Sequence, residues 1–185
     1  PAMVEDALAC WRALLARGAD PARAAFAGDS AGGGLVFGLL AAARAEGLPD
    51  PARLLAFSPW TDMTGEAEAL TRNARADPLL PASRLAEVRE WVLRDADPRD
   101  PRASPAFARF DPPPPPALLF ASRGEILADD SKAMAAALRG SGGPAEIVWS
   151  DAAPHAWPLF LGLIPEAAEA VARAGAFLAE TRAPA

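Results

Sequence analysis

Four short runs that are apolar at every position constrain this chain more than anything else in it. They are Ala24-Ala25-Phe26-Ala27, Leu54-Leu55-Ala56-Phe57, Ala117-Leu118-Leu119-Phe120 and Ile147-Val148-Trp149. A strand with one wet face alternates apolar and polar side chains, whereas an uninterrupted run needs cover on both faces. Helical spacing surrounds these runs. Val4, Ala7, Leu8, Trp11, Leu14 and Leu15 form one stripe before the first run, and Leu35, Val36, Leu39, Leu40 and Ala43 form another after it. Two more helices are expected over about Asp130 to Leu138 and Pro165 to Leu178. Gly18, Gly47-Leu48-Pro49 and Gly142-Gly143-Pro144 punctuate the pattern as turns. Strand and helix in alternation imply an α/β fold with a parallel sheet covered by helices on both faces. Ligands of such sheets bind beyond the carboxyl ends of the strands.

Residues 60 to 116 break the alternation. They hold one amphipathic pattern, around Arg84 to Leu93, with Leu85, Val88, Trp91 and Val92 as its apolar side. Asp-Pro turns at 77–78, 97–98 and 100–101 surround it. The run from Pro112 to Pro116 has no N–H to donate to a sheet and acts as a stiff spacer.

Composition narrows the function. The chain has 185 residues, 51% of them hydrophobic, enough for one domain with a sizeable core. Its net charge of −6 disfavours nucleic acid as a partner. Cys10 is the sole cysteine, which excludes an internal disulfide or a cysteine-built metal site. No apolar stretch is long enough for a membrane span. No charged-then-apolar leader opens the sequence, so the expected location is cytoplasmic.

Chemistry concentrates at the ends of the apolar runs. Gly28-Asp29-Ser30-Ala31-Gly32 has the G-x-S-x-G form of a nucleophile elbow, and it lies between a strand and a helix as that motif requires. The turn projects the Ser30 hydroxyl above the sheet. Gly28 and Gly32 are expected because side chains there would collide with neighbouring backbone. The Ala31 amide, at the helix amino end, is the expected oxyanion donor. His155, the only histidine, follows the fourth run and can take the serine proton and return it to a leaving group. A third member must be a carboxylate after the third run, where Glu125, Asp129 and Asp130 are available. Glu125 comes soonest and is the first choice. Asp129 is the alternative acid, although it and Asp130 also suit the first turn of a helix.

Taken together, these segments resemble the hormone-sensitive-lipase-like esterases, the α/β hydrolase fold-3 family. The matching stretches are GDSAGGG at 28–34, SPWTD at 58–62, RADPLL at 75–80, DPRDPRASP at 97–105, PALLFASRGEILADDS at 116–131 and PHAWPLF at 154–160. The order serine, acid, histidine is also that of the hydrolase fold. The resemblance implies a serine esterase that forms an acyl-enzyme on short- to medium-chain acyl esters, with no cofactor. It places the nucleophile on Ser30, the base on His155 and the acid on Glu125 with Leu127 behind it. Asp129 would support the loop, Asp29, Asp62 and Asp77 would be structural, and residues 60–110 would belong to a cap over the acyl pocket. Trp60, Trp91 and Trp157 could line a pocket, although core packing is the commoner use of such side chains.

One departure stands out. The family's His-Gly-Gly-Gly oxyanion loop does not occur in this sequence. The resemblance begins at the helix before the elbow, so residues 1–185 are expected to be the carboxyl-terminal part of one hydrolase domain without its first strands. An open strand edge would admit another chain, so a homo-oligomer is one expected state. Lactones, thioesters and amides would use the same machinery. A non-catalytic binding protein and an inactive fragment are the readings of other classes.

Overall fold

The structure, a computed structural model, describes residues 2–180, so Pro1 and residues 181–185 lie outside it. Four strands, β1 (Ala25–Asp29), β2 (Arg53–Phe57), β3 (Ala117–Ser122) and β4 (Ala145–Ser150), form one parallel sheet in chain order. Phe26 pairs with Leu54, Leu55 with Leu118 and Leu119 with Ile147. Six helices accompany them: α1 (Ala2–Ala16), α2 (Ser30–Ala45), α3 (Ala69–Arg72), α4 (Ala82–Leu93), α5 (Ala128–Gly140) and α6 (Pro165–Ala179).

Side-chain alternation divides each central strand between two cores. Leu54 and Ala56 of β2, with Ala117 and Leu119 of β3, join the apolar faces of α1, α2 and α5. Their neighbours Leu55, Leu118 and Phe120 point the other way, against Trp157 and Ala170 and Ala174 of α6. This two-sided burial is why residues 54–57 of β2 and 117–121 of β3 are apolar at every position. On α1 the residues at helical spacing, Val4, Leu8 and Trp11, are buried, and the Trp11 ring meets Phe26 edge-on at 5.0 Å. The helix stops where Gly18 turns to φ +86°.

Three expectations are corrected. Leu14 does not join the α1 stripe in the core; it is 46% exposed. The first strand is covered on one face only, with Phe26 buried while Ala25 and Ala27 face outward. Those two, with Cys10, Trp11, Leu14 and Leu35, line an open apolar recess of about 450 Å³ beside the free edge of β1. Trp91 does not belong to the apolar side of α4. It is 63% exposed, because the helix turns Leu85, Val88 and Val92 inward instead.

The segment between β2 and β3 carries more structure than its sequence pattern suggests, with α3 and a 3₁₀ turn at Pro105–Phe107 besides α4. It has its own small core, in which Trp60, Met63, Leu85 and Ala103 pack on Ile126 and Leu127 from the loop after β3. Among the described residues no helix is long and apolar enough to cross a membrane.

Candidate active site

The elbow is built without a loop, since β1 ends at Asp29 and α2 begins at Ser30. So abrupt a reversal forces Ser30 to φ +54°, in the left-handed region. A Cβ on Gly28 would lie 2.4 Å from the carbonyl oxygen of Gly32, so glycine is required there. Gly33 and Gly34 serve the loop after β2. A Cβ on Gly33 would come within 2.9 Å of Pro59 Cα, and one on Gly34 within 1.9 Å of the Trp60 carbonyl oxygen. This close approach lets the Trp60 amide donate to the Ser30 carbonyl at 2.9 Å. Gly32 departs from expectation: no atom lies within 4 Å of a Cβ placed there, because it faces the open recess beside β1. Ser30 is half-buried and Ala31 exposed. The first N–H groups of α2 have no partners within the helix and give this end partial positive character.

At the end of β3, Glu125 is almost completely buried, at 1% exposure. Its Oε1 accepts the amide of Ser122 at 2.9 Å, and its Oε2 lies 2.7 Å from Nδ1 of His155. Two residues of the preceding segment hold the loop. Asn73 Nδ2 donates to the carbonyls of Arg123 and Glu125 at 2.8 and 2.7 Å, and Asp77 Oδ2 accepts the amide of Ile126 at 2.9 Å. His155 is also buried, and its Nε2 makes no hydrogen bond. The Ser30 hydroxyl is therefore not hydrogen-bonded to it; such contacts are often loose without substrate. The following amide, of Ala156, donates to the hydroxyl of Ser58 at 2.9 Å.

The two aspartates after Glu125 are engaged elsewhere. Asp129 accepts from the Ala69 amide, Arg72 and Lys132. Burial works to raise its pKa, but the hydrogen bonds from Lys132, Arg72 and Ala69 outweigh that and hold it below the usual value. Asp130 is buried, and one of its oxygens, Oδ1, accepts the amides of both Thr61 and Asp62 at 2.8 Å. Burial pushes its pKa up to about 8, against the two amides and with Asp62 and Asp129 adding to the rise. Asp62 and Asp77 cap local turns through the amides of Thr64 and of Leu79 and Leu80. Asp29 gives α2 no side-chain cap. Trp60 and Trp157 are buried in the core. Sequence reasoning did not single out Ser58 or Asn73. Ser58 had a signal, its place directly after a strand and before a proline; Asn73 had none. Among the described residues no three His, Cys, Asp or Glu side chains are grouped as metal ligands.

The chain is similar in sequence and fold to known proteins. A family model for the alpha/beta hydrolase fold matches residues 1–159. An acetyl-hydrolase of Streptomyces hygroscopicus is 38% identical over 178 residues, which are 96% of this chain and 59% of the relative. A crystal structure of an esterase from the bacterial hormone-sensitive lipase family matches with a TM-score of 0.91 at 39% identity, over 96% of this chain and 60% of that one. One of EstE5 with PMSF matches with a TM-score of 0.90 at 38% identity, over 96% and 59%. The chain thus spans about three fifths of the length of these relatives. It belongs to the α/β-hydrolase fold family, with the hormone-sensitive-lipase-like esterases.

Proposed function

We propose that this protein is a serine carboxylic ester hydrolase acting on short- to medium-chain acyl esters. The observation that carries the reading is the buried 2.7 Å contact between Glu125 and His155 Nδ1, which leaves Nε2 without a partner. A carboxylate on Nδ1 holds the proton there and keeps Nε2 as the base. In the reaction the Ser30 hydroxyl attacks the acyl carbonyl and its proton passes to Nε2. The tetrahedral oxyanion takes a hydrogen bond from the Ala31 amide. Collapse expels the alcohol, which leaves with the proton from Nε2. Water then enters, loses a proton to Nε2 and attacks the acyl-serine, and breakdown of that adduct releases the acid and restores Ser30.

Three further points support the reading. The relatives are named acetyl-hydrolase and esterase. EstE5 has been crystallised with PMSF, a reagent that sulfonylates activated serines. Residues 60–110, read here as part of a cap, hold the Glu125 loop through Asn73 and Asp77. A fluorophosphonate probe tests the reading directly. It should modify Ser30, as located by mass spectrometry, and Ser30→Ala should abolish the modification. Labelling of a different serine, or none in a protein shown to be folded, would refute it.

A further inference from the structure

We propose that Ser58 is a positioning residue for His155, its hydroxyl setting where the imidazole sits over the sheet. This rests on the reading of His155 as the base. Ser30 and the His155 loop follow β1 and β4, the two edges of the four-strand sheet. With strands about 4.8 Å apart, those edges are roughly 14 Å from each other. The loop after β4 must therefore cross back over β3 and β2 to bring an imidazole towards Ser30. Two ties mark that crossing. Glu125, beyond β3, holds the ring at Nδ1, and Ser58, beyond β2, accepts the amide of Ala156 at 2.9 Å. The carboxylate holds the ring at one atom; the second tie, on the next residue's backbone amide, holds the loop from which that ring projects.

Ser58 is itself held on both sides. Its amide donates to the Phe120 carbonyl at 2.7 Å, and two residues on, the Trp60 amide reaches the Ser30 carbonyl. One loop thus joins the elbow to the histidine. Both partners of the tie are left-handed, Ser58 at φ +46° and Ala156 at φ +51°. Residues with a Cβ hold that conformation only where surrounding contacts impose it. At position 58 glycine would meet the backbone requirement at less cost, and what it lacks is the hydroxyl. That hydroxyl is fully buried and is used on the residue next to His155.

The test compares the unsubstituted chain with Ser58→Ala and Ser58→Gly. The glycine variant removes the hydroxyl while relieving the left-handed backbone, so its folding is protected. Because His155 is the only histidine, long-range 1H–15N NMR yields a single imidazole. In the unsubstituted chain we expect a hydrogen-bonded Nδ1–H and a bare Nε2. In both variants the Nδ1 proton signal should broaden or vanish, and fluorophosphonate labelling of Ser30 should slow by about 100-fold, the effect of a displacement near 1 Å. The melting temperature of Ser58→Gly should stay within a few degrees of the parent. An unchanged imidazole signal or labelling rate in Ser58→Gly would overturn the proposal, as would loss of its fold. If the unsubstituted chain is not labelled at all, the esterase reading fails, and the NMR comparison still decides the tie.

Discussion

Glu125 and His155 stand thirty residues apart in sequence and meet through Oε2 and Nδ1 at 2.7 Å, both buried. Asp129, only four residues beyond Glu125, is occupied by the Ala69 amide, Arg72 and Lys132. The two carboxylates therefore answer differently to amide substitution. Glu125→Gln presents an N–H to Nδ1 and forces the wrong tautomer, so Ser30-dependent turnover should fall by about 10³–10⁴. Asp129→Asn loses partly exposed ion pairs, with a cost of about 1 kcal/mol or less in stability and little change in turnover. Parallel measurements of kcat/KM and urea midpoint separate the two. A larger kcat/KM loss for Asp129→Asn would reverse the assignment.

Asp130 predicts an unusual pH dependence. Burial raises its folded-state pKa to about 8, while the unfolded chain titrates near the ordinary value of 3.8. Between those values the folded state holds a proton that the unfolded state has lost. Stability is thus fully present below the unfolded pKa and declines as pH rises towards the folded one, by on the order of 1 kcal/mol per pH unit. Asp130→Asn keeps an oxygen acceptor for the Thr61 and Asp62 amides and carries no titrating group. Denaturation at pH 5, 6, 7 and 8 should show a falling curve for the parent and a flatter one for Asp130→Asn.

The glycines of the elbow should divide sharply. Gly34→Ala places a Cβ 1.9 Å from the Trp60 carbonyl oxygen, and backbone must move to admit it. We expect a loss of at least about 3 kcal/mol, enough to prevent folding of a marginal chain. Gly32→Ala meets nothing within 4 Å and replaces glycine in a helix. It should be neutral or stabilising by up to about 1 kcal/mol. Thermal melts of the two variants check both signs.

Oxyanion stabilisation should limit the turnover of the 185 residues as they stand. Ala31 is the only oxyanion donor proposed among them, and the family's His-Gly-Gly-Gly loop does not occur in this sequence. Loss of one such donor costs about 10²–10³ in kcat. Fusing the corresponding amino-terminal part of the Streptomyces relative should raise p-nitrophenyl butyrate turnover by at least that factor, with every gain abolished by Ser30→Ala. Equal, Ser30-dependent turnover by the monomeric short chain would count against this expectation, so oligomeric state is measured alongside.

The sequence by itself determined the strands, the main helices and the strand-to-helix turn that carries Ser30, because each of these is written in local chemistry. Inside the sheet an apolar run of four residues reports two buried faces, as Leu54 and Leu55 do on opposite sides of β2, whereas at the edge strand β1 only Phe26 is buried. Gly28 and Ser30 are required by a turn whose atoms all lie within a few residues. Tertiary structure alone decided which carboxylate reaches the histidine. Glu125, Asp129 and Asp130 fall within six consecutive residues, and only the direction in which α5 departs sends the latter two towards residues 61–72. It also decided that Trp91 faces solvent, that Gly32 has open space, and that Ser58 reaches Ala156 across 98 residues. These outcomes depend on distances between segments far apart in the chain, and no local period or propensity encodes such distances.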